Sequence, residues 1–260
     1  MSAGAVAPQR SPLVAAWRLL RIAGHVLHGA WLIRRRLPKL DEAGRHMEIQ
    51  AWALEFIELL AIKLEAPVLP QQHGPLLLVA NHISFIDIVV LLATSPCRLV
   101  SKADVHHWPL IGPMAVALGT VFIERESRRD AMRVVHHMAE AFAQGAVLAV
   151  FPEGTTGDGR ELLPFHGNLL QAAIATDTPV QPRALRYEVA STGILSTAPA
   201  YAGEDSVFDT LWRSLRTPDL QVRLVVGRLE HAQGRERRQW AQDLQQGIAV
   251  ALQAGSHARS

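Results

Sequence analysis

From residue 67 onward, short aliphatic and β-branched runs alternate with stretches of helical periodicity, and this alternation limits the fold more than any other property of the chain. Runs of strand length fall at 76–80, 98–101, 120–123, 147–151, 180–185 and 220–229. Helical periods fall at 86–93, 108–118, 130–144, 167–176, 207–215 and 235–254. In 130–144 the residues Ala131, Val134, Val135, Met138 and Phe142 form one apolar stripe, which ends at Gly145, a residue suited to a helix C-terminus. In 235–254 Trp240, Leu244, Ile248, Ala251 and Leu252 align in the same way. Strands joined by helical crossovers pair in parallel, since the crossover returns the chain to the edge it started from. The expected fold is therefore α/β, a central, largely parallel sheet flanked by helices.

At 260 residues the chain is long enough to bury one large core. No internal repeat or linker divides 67–260, which reads as one α/β domain preceded by helices over 1–66. The single cysteine, Cys97, excludes an internal disulfide and suits a reducing compartment. The histidines show neither C-x-x-C nor H-E-x-x-H spacing, and the adjacent pairs His106-His107 and His136-His137 point different ways on any helix or strand, so no metal is expected.

Net charge is close to balance, at +2, but unevenly placed. Residues 1–40 hold seven basic side chains (Arg10, Arg18, Arg21, Arg34, Arg35, Arg36 and Lys39) and no acidic one, which leaves 19 of the 26 basic residues against 24 acidic in the remainder. A cationic arm on an acidic body calls for an anionic partner. The arm is also apolar, with Leu13, Val14, Trp17, Leu20, Ile22, Val26, Leu27, Trp31 and Leu32 between the arginines. Its longest uncharged run, 22–33, is short of the ~20 residues that span a bilayer, and no small-residue cleavage site follows it. A second helical stretch, 45–64, places Trp52, Phe56, Ile57, Leu60 and Leu64 around a face of Glu48, Glu55, Glu58 and Glu65. Two readings follow. As an interfacial hairpin, the pair lays its apolar side among acyl chains and its arginines among anionic headgroups. As ordinary helices, it packs on the core with the arginines solvated. The basic-only charge, the tryptophans and a mean hydropathy of +0.11 favour the first, a peripheral or monotopic attachment at the cytoplasmic face of the plasma membrane.

Ligands of open α/β sheets bind at the carboxyl ends of the strands, and the residues fit for chemistry gather there. Asn81-His82 follow the first expected strand, Lys102 the second, Glu124-Arg125 the third and 152–159 the fourth, while Pro182 lies in the fifth. His82 and Asp87 are five apart, a spacing that separates two residues around a regular helix. They meet only if His82 lies in the turn before a helix and Asp87 in its first turn. A neutral imidazole takes a proton near neutral pH, and a carboxylate on its other nitrogen sets the tautomer and stabilises the imidazolium. Ser84-x-x-Asp87 equally fits a capping box, Asp87 reaching back to a backbone N–H; the two roles are compatible.

Residues 151–159, Phe-Pro-Glu-Gly-Thr-Thr-Gly-Asp-Gly, let backbone N–H groups and threonine hydroxyls approach an anion, or form a generic turn. No Gly-Lys-Ser/Thr follows, which argues against nucleotide hydrolysis. Arg125 offers a planar fork for phosphate and Lys102 a second positive charge; either is also at home solvated at a loop edge.

Four blocks, in order, carry a resemblance: Asn-His-Ile-Ser-Phe-Ile-Asp at 81–87, Phe-Ile-Glu-Arg at 122–125, the loop at 151–159 and Pro-Val-Gln-Pro at 179–182. Together they resemble the lysophosphatidate acyltransferases, also called 1-acyl-glycerol-3-phosphate acyltransferases, over roughly residues 75–187. Lys102 with Trp-Pro-Leu-Ile-Gly at 108–112 is similar to the family's second loop. The resemblance implies that His82 is the general base and Asp87 its partner. It implies that Arg125, Glu153, Gly154 and Thr155, with Lys102, bind the glycerol-phosphate end, and that Pro182 shapes the acyl-donor wall. The implied reaction moves a fatty acyl group from coenzyme A or acyl carrier protein to a lysophospholipid in the membrane, giving phosphatidic acid. No other cofactor and no nucleic acid partner is implied.

A thioester is already reactive, so neither a metal nor a covalent enzyme intermediate is required. Ser84 as a nucleophile is the weaker reading, because capping accounts for it. Three alternatives stand beside the main one. These are another lysolipid acceptor such as a lyso-ornithine lipid, a thioesterase in which His82 activates water, and a catalytically silent membrane-binding scaffold.

Overall fold

The computed structural model describes residues 9–68, 74–108, 111–123 and 128–257. Its helices are α1 (Pro12–Arg35), α2 (Glu42–Leu59), α3 (Ile86–Thr94), α4 (Ile111–Ala117), α5 (Arg128–Ala143), α6 (Leu170–Ala175), α7 (Val207–Arg216) and α8 (Arg237–His257). Its strands are β1 (Lys63–Glu65), β2 (Leu76–Ala80), β3 (Arg98–Lys102), β4 (Val121–Ile123), β5 (Val147–Val150), β6 (Val180–Val189) and β7 (Leu220–Val226).

β2 reads Leu-Leu-Leu-Val-Ala and is buried at every position, as an inner parallel strand covered on both faces must be. It pairs in parallel with β5 on one side and β6 on the other, and β3 and β4 extend the parallel array beyond β5. β7 runs antiparallel to β6, and β1 lies parallel to β7, giving the order β1-β7-β6-β2-β5-β3-β4. The strand alternation splits the interior into two layers. One contains Ile57, Leu60, Leu78, Leu91, Tyr187 and Leu215, under α1, α2, α3 and α7. The other contains Val79, Met138, Leu148, Leu170, Trp240 and Leu244, under α5, α6 and α8.

Three sequence expectations change here. The helix expected over 45–64 ends at Leu59, because Ala61 takes a positive φ of 55° and the chain turns into β1. The expected boundary at 66/67 therefore falls beyond a strand that belongs to the sheet, and the helices before it share a core with the body. The strand expected over 180–185 continues to Val189, since the rungs from Arg183 to Val189 pair with β7.

α1 is apolar on two opposite sides. Ala15, Ile22, His25, Gly29 and Leu32 are buried, at the spacing of one helical face. Leu13, Trp17, Leu20, Leu27 and Trp31 form a second stripe at the same period and are exposed. Close approach of α1 to α2 depends on Gly29, where a Cβ would lie 2.6 Å from Trp52 Nε1. That contact is braced by His25, whose ring stacks on Trp52 at 4.9 Å and whose Nε2 lies 2.9 Å from the Trp52 carbonyl. Among the described residues, no helix is long and apolar enough to cross a membrane.

Candidate active site

β2 stops at Ala80, and the next residue extends its pairing with a side chain. Asn81 Nδ2 donates to the Leu185 carbonyl at 2.9 Å, and Leu185 N–H donates to Asn81 Oδ1 at 2.7 Å. This buried amide fixes the point where the chain leaves the sheet and turns toward α3.

His82 lies in that turn and Asp87 in the first turn of α3. His82 Nδ1 is 2.9 Å from Asp87 Oδ2. The same oxygen accepts the backbone N–H of Ile83 at 2.6 Å and of Ser84 at 2.8 Å, and Oδ1 accepts the Tyr187 hydroxyl at 2.7 Å. Asp87 is fully buried, and four donors converge on it. One carboxylate thus ties down the backbone of the turn before α3 and orients the imidazole, while Phe85 at the N-cap has no side-chain cap, so the reciprocal capping box expected from Ser84 to Asp87 is not closed. A carboxylate only accepts, so in the neutral form of the ring Nδ1 carries the hydrogen and Nε2 the lone pair. The His82 side chain is 17% exposed and stacks on Phe151 with centroids 3.9 Å apart, which restricts its rotation. Burial first, and then the Asp87 charge, push the Tyr187 phenol well above its ordinary range, so this hydroxyl remains a donor.

The loop after β5 closes against the same turn. Glu153 Oε1 accepts the backbone N–H of His82 at 2.7 Å, and Oε2 accepts that of Leu163 at 3.0 Å. Gly157 N–H donates to the His82 carbonyl at 2.8 Å. Burial raises the Glu153 carboxyl above its ordinary value, and the two backbone donors pull it partly back. Gly154 turns the chain at a φ of 72°, its N–H on the Phe151 carbonyl. Gly159, at a φ of 81°, packs so near Ile83 that a Cβ would lie 3.2 Å from Ile83 Cδ1.

The sequence-selected residues divide accordingly. His82, Asp87, Glu153 and Gly154 come together. The expected phosphate contact of Glu153 gives way to another task, because both oxygens are committed to backbone N–H groups and a carboxylate repels a phosphate. Thr155 is exposed on the loop. Lys102 is exposed at the end of β3, two strands from β2 and so about 10 Å away across the sheet. Arg125 lies outside the described residues. Pro182 sits inside β6, in register with Val79, with its carbonyl accepting Gly227 N–H at 2.8 Å. It is not among the residues that line the cavity beside His82. Ser84 is buried, and its hydroxyl accepts the Ile86 N–H at 3.3 Å. Two site residues lay beyond the sequence reading: Tyr187 and Arg186, both in the part of β6 past 185.

A cavity of about 310 Å³ opens beside His82. Asn81, His82, Ile83 and Glu153 form one wall, residues 159–162 a second, and Arg186 with Ala249, Leu252 and Gln253 of α8 a third. An oriented imidazole with a lone pair facing such a space can take a proton from a bound hydroxyl or water.

A family model described as acyltransferase matches residues 62–186. Lyso-ornithine lipid O-acyltransferase of Pseudomonas aeruginosa is 35% identical over 243 residues, covering 90% of this chain and 92% of that protein. A 1-acyl-sn-glycerol-3-phosphate acyltransferase of Neisseria meningitidis is 36% identical over 155 residues, 60% of each chain. In fold, the chain is similar to the crystal structure of the 1-acyl-sn-glycerophosphate acyltransferase PlsC from Thermotoga maritima. The TM-score is 0.66 over 94% of this chain and 99% of that one, at 16% identity.

Proposed function

Because this chain belongs to the acyltransferase family, we propose that it transfers a fatty acyl group from a thioester, on coenzyme A or acyl carrier protein, to the free hydroxyl of a lysolipid, with His82 as the general base. The observation that carries this reading is the 2.9 Å contact between His82 Nδ1 and Asp87 Oδ2 at the mouth of a cavity. Nε2 takes the hydroxyl proton as the oxygen attacks the thioester carbonyl carbon. The tetrahedral oxyanion then collapses, the C–S bond breaks, and the imidazolium returns its proton to the departing thiolate. Asp87 balances the imidazolium charge between the two steps. A positioned base contributes ~10²–10⁴-fold to such a reaction. No covalent enzyme intermediate is needed, and the burial of Ser84 and Cys97 agrees with that.

The acceptor implied by the resemblance of the four sequence blocks is 1-acyl-glycerol-3-phosphate, with phosphatidic acid as product. A specific observation favours a second acceptor. The relative aligned over nine-tenths of the chain is a lyso-ornithine lipid O-acyltransferase, whereas the glycerophosphate enzyme aligns over 155 residues. Purified protein in detergent micelles, supplied with acyl-coenzyme A or acyl carrier protein and each lysolipid in turn, separates the two by the acylated product. Release of free fatty acid at a rate indifferent to either lysolipid would overturn acyl transfer in favour of hydrolysis.

The exposed apolar stripe of α1, flanked by Arg21, Arg34 and Arg35, suits attachment to an anionic bilayer where such acceptors reside. In this reading the protein is peripheral and works from the cytoplasmic face, where acyl thioesters are supplied.

A further inference from the structure

Arg186 stands on β6 one residue past Leu185, the residue clamped by Asn81, and its side chain lines the cavity that holds His82. Its Nε donates to Glu188 Oε2 at 3.2 Å. Glu188 is buried and shared, since its Oε1 lies 2.7 Å from Arg223 Nη2 and 3.2 Å from Gln221 Nε2. Arg223 in turn reaches Glu65 at 3.2 Å. This row of alternating charges ends in a cation on the cavity side and an exposed acid on the other. Glu188 thereby fixes the guanidinium through Nε. The two terminal NH₂ groups have no hydrogen bond among the described residues, and the side chain is 20% exposed. The other charges on the cavity are differently placed. Glu153 has both oxygens on backbone N–H groups, and Arg160 and Glu161 stand exposed at the rim.

A guanidinium held at Nε and open at both terminal nitrogens presents a fork to two oxygens of one anion. We propose that Arg186 binds the oxyanion of the acceptor headgroup, a phosphate monoester or an amino-acid carboxylate, while His82 reaches the hydroxyl that is acylated. The assignment rests on the acyl-transfer reading above and adds to it the residue that selects an anionic acceptor. Leu252 and Ala249 of α8 then form the apolar side of the same space, against the uncharged part of the lysolipid.

The test is steady-state kinetics of wild type, R186Q and R186K, with acceptor and donor concentrations varied separately, on 1-acyl-glycerol-3-phosphate and on lyso-ornithine lipid. In R186Q, kcat/KM for the productive acceptor should fall about 10- to 100-fold, the scale of losing charge-assisted hydrogen bonds, while the KM for acyl donor stays within about twofold. R186K keeps the charge without the fork and should fall between the two, which also reads the site if R186Q does not fold. The acceptor that wild type uses tells phosphate from carboxylate. An unchanged acceptor KM in R186Q, or an equal rise in donor KM, overturns the assignment. Wild type acylating neither acceptor would instead overturn the acyl-transfer reading itself.

Discussion

The hydroxyl of Tyr187 donates to Asp87 Oδ1 at 2.7 Å across 100 residues of chain. Both groups are fully buried. The imidazole of His82 meets the other oxygen, so the strand that carries Tyr187 fixes the aspartate from behind while the aspartate fixes the imidazole. Removing the hydroxyl in Tyr187→Phe leaves Oδ1 with no side-chain donor but keeps the packing of the ring. The variant should fold, lose about 1–2 kcal/mol of stability and lose about 10-fold in kcat, with acceptor KM little changed. Urea denaturation and kinetics measure both. A stability loss without any fall in kcat would confine Tyr187 to the fold.

His82→Ala should reduce transfer by ~10²–10⁴-fold while leaving circular dichroism near wild type and costing about 1–2 kcal/mol of stability, because Asp87 keeps three of its four donors. Asp87→Asn should behave differently. An amide NH₂ directed at either the Ile83 and Ser84 N–H groups or the Tyr187 hydroxyl cannot accept, so a buried donor loses its partner. A stability loss of about 3 kcal/mol is expected, together with the loss of activity. Thermal melting of the two variants side by side separates these outcomes, and equal melting temperatures would refute the fourfold role of Asp87.

Glu153 supplies a pH signature. Burial raises its carboxyl above the ordinary 4.5, so the folded state binds this proton more tightly than the unfolded chain. Its contribution to stability is therefore fully present below that value and declines as pH rises from 4.5 through the raised folded-state value. Wild type measured against Glu153→Gln by urea denaturation should lose relative stability over that rise. A relative gain with pH would mean that the backbone donors, rather than burial, dominate the site.

Cys97 is buried, and burial pushes its thiol up to about 12. The native protein at neutral pH should resist alkylation by iodoacetamide over hours and react promptly in urea. Cys97→Ala should keep wild-type kcat. Loss of transfer in a folded Cys97→Ala protein would demand a covalent route through the thiol.

The outward stripe of α1 bears on membrane attachment. Trp17→Glu with Trp31→Glu places two charges where exposed indoles now lie. Binding to anionic vesicles should drop at least about tenfold, since each large apolar side chain contributes roughly 1.5–3 kcal/mol when buried. Activity on a short-chain acceptor in solution should persist. Undiminished flotation of the double variant would move the membrane contact elsewhere.

The reach of the sequence can be judged residue by residue. The parallel core was legible because β2 and β5 are apolar throughout and helix-length crossovers separate the strands. The meeting of His82 with Asp87 was legible because their spacing fits only a turn entering a helix. β1 was not, since Lys63-Leu64-Glu65 is three residues of an edge strand and offers neither an apolar run nor a full alternation. The reversed direction of β7 left no local trace either, as strand direction depends on where the chain returns. Tyr187 and Arg186 were hidden for a third reason. They follow the apolar run 180–185 within Arg-Tyr-Glu, and only pairing with β7 shows that the strand continues. The phosphate contact of Glu153 was implied by the family resemblance and not by the loop's own residue types; its partners in the fold are amides 71 and 10 residues away.

The two bonds that join the 151–159 loop to the backbone of His82 have an evolutionary consequence. A mutation that reshapes this loop moves the His82 backbone with it, so in the acyl-transfer reading drift there is penalised in turnover even where no loop side chain meets the substrate. The α8 wall meets the cavity through Ala249, Leu252 and Gln253, and among the described residues none of these three is hydrogen-bonded to His82. If the acyl-transfer reading holds, preferences for the uncharged part of the acceptor should therefore arise by exchange at those three helix positions, with Arg186 and the loop inherited unchanged. Laboratory libraries aimed at that part of the substrate belong on the helix.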